Sequence, residues 1–214
     1  MRLGPIVSIT VVVHALPAAI DFYCSQAGLS VHTSGNLLSA RALKMGDASL
    51  SDAPSAELAS ALDGNPWLQL IEAPHAIFAT PLAGWIGLHL PLPGLSPGDE
   101  LIGPGGERLR GSGGFGALAV AKIDLGCTDP RGARAFYAGL GLLDRFDSAA
   151  IGWLQGGQRI EFLQTDAAPA TSLRTGIRLV SFARSDAHGT RQRGTDDPSA
   201  RILGGAEGEG VELV

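Results

Sequence analysis

The first thirty residues change from one hydrophobic pattern to another. Residues 7–13 are rich in β-branched side chains, which favour a strand. Residues 16–27 place Leu16 and Tyr23 on one apolar stripe of helical spacing, and Gly28 follows as a typical helix end. The chain is therefore predicted to begin with a strand and an amphipathic helix.

The same pattern recurs in the second half of the chain. Residues 119–125 predict a strand, and Asp129 followed by Pro130 is a typical start for the helix after it. Both predicted helices carry a Phe-Tyr pair, at 22–23 and at 136–137, and a Gly-Leu pair follows each of them. The sequence thus contains an internal repeat.

Both copies of the repeat continue with a further predicted strand, at 67–72 in the first copy and at 159–164 in the second. The first copy is longer because of an insertion near 36–62. Residues 51–62 of this insertion predict a short capped helix that ends at Gly64. We expect the insertion to be an excursion on the surface.

A shorter β-rich piece follows each copy, at 84–110 and at 176–213. Each piece contains a strand, a variable middle, a Gly-rich turn and a closing strand. The whole chain therefore consists of four modules, of which two are complete and two are reduced. Alternating short strands and few helices place the fold in the α+β class.

Composition excludes several classes of function. The chain has 16 basic and 21 acidic residues and no long basic run, which disfavours binding to nucleic acid. No apolar segment is long enough to span a membrane or to act as a signal peptide, so we expect a cytoplasmic protein without a membrane partner. The two cysteines, Cys24 and Cys127, are too few for a disulfide scaffold, and we expect both to be buried.

Two segments carry a resemblance to a known family. Residues 122–137 join a strand beginning Lys-Ile-Asp-Leu to the helix that bears the second Phe-Tyr pair, and residues 205–213 join a Gly-rich turn to a strand that bears Glu212. This arrangement resembles the vicinal oxygen chelate superfamily, which includes glyoxalases, bleomycin-resistance proteins and extradiol dioxygenases. The resemblance implies βαβββ-type modules paired into two half-barrel domains. We expect residues 1–112 to form the first barrel, 113–116 a linker and 117–214 the second barrel.

The resemblance also implies where a metal would bind. In this superfamily, His or Gln on a first strand and Glu on a last strand hold a divalent cation on the concave wall. The matching positions in the first barrel are Ser8, Gln69, Leu88 and Arg110, and those in the second are Lys122, Glu161, Leu179 and Glu212. Leucine cannot bind a metal, and Arg110 and Lys122 add positive charge where a cation would lie. We therefore expect no standard metal site, although a shift of one residue would replace Leu88 with His89.

The second barrel keeps several charged side chains. Strand alternation places Lys122 and Asp124 on one face, together with Glu161 and Glu212 and with Arg159 as a further candidate. One interpretation is that the Lys122 ammonium takes the place of a metal between the two glutamates. The other is catalytic, with Glu161 or Glu212 as a general base and Lys122 stabilising a developing negative charge.

The first barrel has a more apolar wall. Trp67 and Gln69 share a strand face, and Ser8 lies across the sheet from them, which is typical of a small-molecule pocket. Arg110 is a candidate for holding an anionic group, or for a salt bridge at the rim. The predicted ligand-binding residues are Ser8, Trp67, Gln69, His89 and Arg110.

Two functions follow from these observations. The first is a metal-free protein that binds a small apolar or aromatic molecule, by analogy with bleomycin-resistance proteins. A homodimer is compatible with this function. The second is a metal-dependent lyase, isomerase or extradiol-type dioxygenase that uses iron, zinc or manganese at a remodelled site.

Overall fold

Strands dominate the structure, a computed structural model of the chain. Helices α1 (Leu16–Ala27), α2 (Ser39–Lys44) and α3 (Pro130–Gly139) and a 3-10 turn at Ala48–Leu50 complete it. The strands are β1 (Leu3–Val13), β2 (Leu29–Asn36), β3 (Pro54–Ser60), β4 (Pro66–Glu72), β5 (Gly84–Leu90), β6 (Glu100–Ile102), β7 (Arg108–Gly111), β8 (Lys122–Cys127), β9 (Ile151–Trp153), β10 (Arg159–Gln164), β11 (Gly176–Arg184), β12 (Arg201–Gly204) and β13 (Gly210–Leu213). The residues described are 3–60, 64–77, 83–90, 96–112, 120–143, 150–154, 157–167, 175–184, 201–205 and 209–214. None of the helices in these ranges is long and apolar enough to cross a membrane.

The strands form two sheets, and the predicted α+β class is confirmed. The seven-stranded sheet has the order β12-β13-β11-β1-β4-β3-β2, and the six-stranded sheet has the order β6-β7-β5-β8-β10-β9. In the centre of each sheet, the first strands of two modules pair antiparallel, β1 with β11 and β5 with β8. Four modules are thus paired two by two, as the sequence repeat predicted.

The partners within each pair differ from the predicted grouping of 1–112 and 117–214. The first module pairs with the fourth, and the second pairs with the third, so each sheet takes strands from both halves of the chain. The reason is that the first strands of all four modules share a similar apolar alternation, which identifies a strand but does not select its neighbour. The predicted linker at 113–116 lies outside the described residues.

The two predicted long helices are confirmed, and so are the end of α1 and the start of α3. Helix α1 ends at Gly28, whose φ of 64° is left-handed and favours glycine. The side chain of Asp129 accepts a hydrogen bond from the Arg131 backbone N–H at 3.1 Å and caps α3. Local sequence signals therefore set these boundaries.

The predicted helix at 51–62 is wrong. Residues 54–60 form β3, which pairs antiparallel with both β2 and β4. Ala56 and Leu58 are buried at alternate positions, so pairing inside the sheet overrides the local preference for a helix. Residues 61–63 lie outside the described part of the chain.

The rest of the insertion is not a surface excursion. Residues 37–50, which we call the plug, contain α2 and the 3-10 turn and lie against the seven-stranded sheet. The plug and the sheet share one apolar cluster, formed by Leu37, Ala42, Met45 and Leu50 of the plug and Val12, Ile71 and Leu179 of the strands. The plug thus covers the sheet on the face opposite α1.

The two cysteines differ in burial. Cys127 ends β8 and is fully buried, as predicted. Cys24 lies on α1 and is only half-buried, so the prediction of a buried side chain is wrong for this residue. Tyr23 faces the core, and Cys24, the next residue of the helix, therefore lies at the edge of the apolar stripe.

Two buried tyrosine–glutamate pairs repeat within the fold. The Tyr23 hydroxyl of α1 donates to Glu107, and the Tyr137 hydroxyl of α3 donates to Glu209 at 2.5 Å. Both glutamates end a Gly-x-x-x-Glu turn before a closing strand. A Cβ atom on the first glycine of either turn would lie within 2.1 Å of the carboxylate, so this close approach requires glycine.

The tyrosine–glutamate pairs join the two sheets to each other. Helix α1 and the turn at Glu107 belong to different sheets, and so do α3 and the turn at Glu209. The indole N–H of Trp85 on β5 also donates to the Gly210 carbonyl of β13 at 2.9 Å. Around these bonds the two sheets share one continuous apolar core.

Glu107 gives the stability of the fold a dependence on pH. Desolvation by burial raises the pKa of Glu107 to about 7, against the lowering effect of the hydrogen bond from Tyr23. The folded protein thus binds this proton more tightly than the unfolded chain does. The resulting stabilisation is complete below the ordinary pKa of 4.5 and is lost as the pH rises through about 7.

We expect the melting temperature to fall between pH 5 and pH 8. The loss corresponds to about 3 kcal/mol at most, at about 1.4 kcal/mol per pKa unit. Glu107→Gln should flatten this part of the profile, whereas Glu100→Gln, at a solvent-exposed ion pair, should leave it unchanged. Calorimetric melts of the three proteins would check this, and an unchanged slope in Glu107→Gln would contradict it.

Candidate functional site

A cluster of charged side chains lies on one face of the six-stranded sheet. Neighbouring strands place its members side by side, because His89 pairs with both Lys122 and Arg110, and Glu161 pairs with Asp124. Strand alternation then turns all five side chains to the same face. We call these five residues the charged cluster.

Asp124 is at the centre of the charged cluster. His89 Nε2 lies 3.1 Å from each of its carboxylate oxygens, Arg110 Nη1 lies 3.4 Å from Oδ2, and Lys122 Nζ lies 3.6 Å from Oδ1. Lys122 also donates to Glu161, and Arg110 donates to Glu100 through Nε at 2.8 Å. Every charge in the cluster therefore has an opposite partner.

The environment of Asp124 stabilises its ionised form. Burial, with 1% of the side chain exposed, would raise its pKa. The hydrogen bond and charge of His89, with the charges of Lys122 and Arg110, outweigh this effect and lower the pKa of Asp124 below its usual 3.8. Asp124 is therefore a carboxylate throughout the neutral range.

The side chain of His89, and not that of Leu88, belongs to the charged cluster. Leu88 is fully buried in the shared core, on the opposite face of the strand. The cluster thus contains the residue that a shift of one position from Leu88 selects, and the β5–β8 pairing has a register shift just before it, between Trp85 and Gly87.

Three members of the cluster form a set of metal-type donors. One ligand atom each from His89, Asp124 and Glu161 lies within 4.8 Å of the others. One imidazole and two carboxylates suit a divalent cation in their chemistry. The Lys122 ammonium, however, contacts the carboxylates of both Asp124 and Glu161. As long as Lys122 holds this position, the donor set does not fit a metal ion.

An apolar wall flanks the charged cluster. Trp153 and Ile151 of β9 pair with Arg159 and Glu161 of β10 and are half-buried. The Arg159 guanidinium lies 5.2 Å from the centroid of the Trp153 ring. A molecule on this face would meet an aromatic ring next to the charged groups.

Glu212 does not join Lys122 and Glu161, contrary to prediction. It lies on β13 of the seven-stranded sheet, because the fourth module pairs with the first. There Arg41 of the plug binds both of its carboxylate oxygens, with Nη2 at 2.9 Å from Oε2, and Ser181 donates to the same oxygen at 2.5 Å. Arg41 and Glu212 are 3% and 0% exposed, so this ion pair is buried.

The remaining predicted residues lie near this pair. Ser8, Trp67 and Gln69 are all buried in the seven-stranded sheet, and Gln69 accepts a hydrogen bond from Thr10 at 3.2 Å. The plug packs against neighbouring positions of this sheet, and a cavity of about 180 Å³ lies beside Gln69, lined also by residues of β2, β3 and the start of the plug. Sequence reasoning missed Arg41, because no motif marks it and its partner is 171 residues away.

Comparison with known proteins supports the fold. No protein-family model matches the sequence, and no curated protein matches it. A proposed dioxygenase from Bacillus subtilis superposes with a TM-score of 0.67 at 13% identity, covering 99% of this chain and 85% of that one. Glyoxalase I from Zea mays superposes with a TM-score of 0.57 at 12% identity, covering 98% and 91% of the two chains.

Both superpositions extend over nearly the whole of the present chain. The present protein has the same fold, and the resemblance inferred from sequence is confirmed at that level. At these identities the likeness concerns the fold and not the chemistry.

The buried ion pair of the plug gives a prediction about stability. Arg41→Ala should lower the free energy of unfolding by about 3–5 kcal/mol, because it leaves the Glu212 charge buried without a partner. Arg41→Met combined with Glu212→Leu should cost clearly less, since neither charge remains. Urea denaturation would compare them, with Arg131→Ala on the exposed side of α3 as the control. Equal losses in the single and double variants would contradict this account.

Proposed function

We propose that the protein binds a small molecule with an apolar or aromatic body on the charged-cluster face of the six-stranded sheet. In this proposal the Lys122 ammonium takes the place of a metal ion, and no cofactor takes part. The observation that carries the proposal is the contact of Lys122 with both Asp124 and Glu161, inside the set of metal-type donors.

The exposure of the cluster supports a role in binding. Arg110 and Glu161 keep 28% and 24% of their side chains exposed, and His89 and Lys122 each keep 15%. These groups are ordered by ion pairs and still reach solvent, so a ligand can contact them without unfolding the site. Trp153 and Ile151 supply the apolar contact area.

The contrast with the seven-stranded sheet also supports this location. There a guanidinium from the plug binds the family's glutamate position, and apolar side chains of the plug cover the neighbouring strands. On the six-stranded sheet the cation at the matching place is Lys122, which comes from the sheet itself. The six-stranded sheet therefore offers the better binding face.

A second candidate function is a metal-dependent lyase, isomerase or dioxygenase. The proximity of His89, Asp124 and Glu161 favours it, because displacement of Lys122 would leave three donors within reach of one ion. The ion would then supply Lewis-acid or redox chemistry, and these three residues would hold it. Iron, zinc and manganese are the candidates.

Metal content separates the two candidates. Protein purified without a chelator should contain no stoichiometric iron, zinc or manganese by elemental analysis. Lys122→His should gain measurable affinity for zinc or manganese in a calorimetric titration, since an imidazole joins Asp124 and Glu161. Arg131→His, on the surface of α3, serves as the control. Stoichiometric metal in the natural protein would overturn the first candidate and support the second.

Ligand binding has an intrinsic probe in Trp153. Trp67 and Trp85 are 8% and 2% exposed, whereas Trp153 is half-buried beside the cluster. We expect catechol or benzoate to change the tryptophan fluorescence with a saturable dependence on concentration, and Trp153→Phe to lose most of the change. Trp67→Phe is the matched control and should keep the response. A failure of both compounds to saturate would count against binding of aromatic molecules at this face.

A further inference from the structure

A cavity lies beside the plug, away from the charged cluster. Its volume is about 220 Å³, which is below the range typical of drug-sized ligands and suits a small molecule. It opens between the end of the plug and the strands β11, β12 and β13. Its lining residues include Lys44, Met45, Arg178, Leu179, Ile202 and Glu209.

Arg178 is the unusual member of this lining. Its side chain is half-buried on β11, and it makes no ion pair or hydrogen bond with any residue of the described ranges. A guanidinium that has lost part of its hydration without gaining a partner favours a bound anion. Its fork of N–H donors matches the two oxygens of a carboxylate.

The opposite wall adds a second positive charge. Lys44 ends α2 and lines the same cavity, and it is itself half-buried. The one acidic residue in the lining, Glu209, accepts the hydrogen bond of Tyr137 at 2.5 Å. The titratable side chains of the lining are therefore two cations and one carboxylate, so their formal charges sum to a positive value.

The rest of the lining is apolar. Met45, Leu179 and Ile202, which belong to the apolar cluster of the plug, line the cavity next to the two cations. A ligand that contacts both the cations and the apolar side chains has one anionic group and a short hydrocarbon body. Inorganic anions would use only the charged part of the site.

We propose that this cavity binds a small carboxylate with a short apolar body, with Arg178 as the main contact of the carboxylate and Lys44 as its support. The site is separate from the charged cluster, because its residues come from the plug and the seven-stranded sheet. It also does not depend on the state of Lys122.

Calorimetric titration of the whole protein with hexanoate tests the proposal. Hexanamide, which has the same body without the charge, and inorganic phosphate, which has charge without the body, are the matched probes. Hexanoate should bind at least tenfold more tightly than either. Equal binding of hexanoate and hexanamide, or no binding of hexanoate at millimolar concentration, would overturn the proposal.

Variants locate the site. Arg178→Gln should weaken hexanoate binding at least tenfold, and Lys44→Gln should weaken it by a smaller factor. Arg131→Gln removes the same charge from the exposed surface of α3 and should bind hexanoate as the natural protein does. Arg178 has no partner among the described residues, so Arg178→Gln should also keep the natural melting temperature. Unchanged hexanoate affinity in Arg178→Gln would overturn the proposal.

Discussion

The arrangement of the two sheets depends on a polar bond that occurs twice inside an apolar core. Tyr23 donates to Glu107 and Tyr137 donates to Glu209, and each bond joins a helix on one sheet to a turn on the other. A buried carboxylate without such a donor would lower the stability of the fold. The two modules that each hydrogen bond joins must therefore meet in an orientation that keeps the bond. The positions of both sheets, and of the sites they carry, follow from this constraint.

Each sheet pairs a cation with one of the two glutamates that the family resemblance singled out, and the two cations come from different elements. On the seven-stranded sheet the cation is Arg41, which reaches Glu212 from the plug and is almost completely buried. On the six-stranded sheet it is Lys122, a residue of the first strand of its module, and it stays in contact with solvent. A duplicated fold has thus become asymmetric, with one face covered and the other accessible.

Much of the fold could be predicted from local signals. Gly28 ends α1 and Asp129 starts α3 as expected, and the repeated Phe-Tyr pairs mark equivalent helices. The failed prediction of a helix at 51–62 shows the limit of such signals, because β3 exists only through its pairing with β2 and β4. In the candidate site, strand alternation correctly placed Lys122, Asp124 and Glu161 on one face, since a period of two residues needs no tertiary information.

The sequence by itself determined the modules, their order and the type of side chain at each strand position, because these depend on spacing along the chain. The tertiary structure alone decided which modules pair, and therefore which charges meet. His89 joins Asp124 because β5 pairs with β8, and Glu212 meets Arg41 because β13 joins the sheet that the plug covers. The pairing of distant strands depends on the free energy gained by burying the whole core, and this free energy cannot be read from any local sequence pattern.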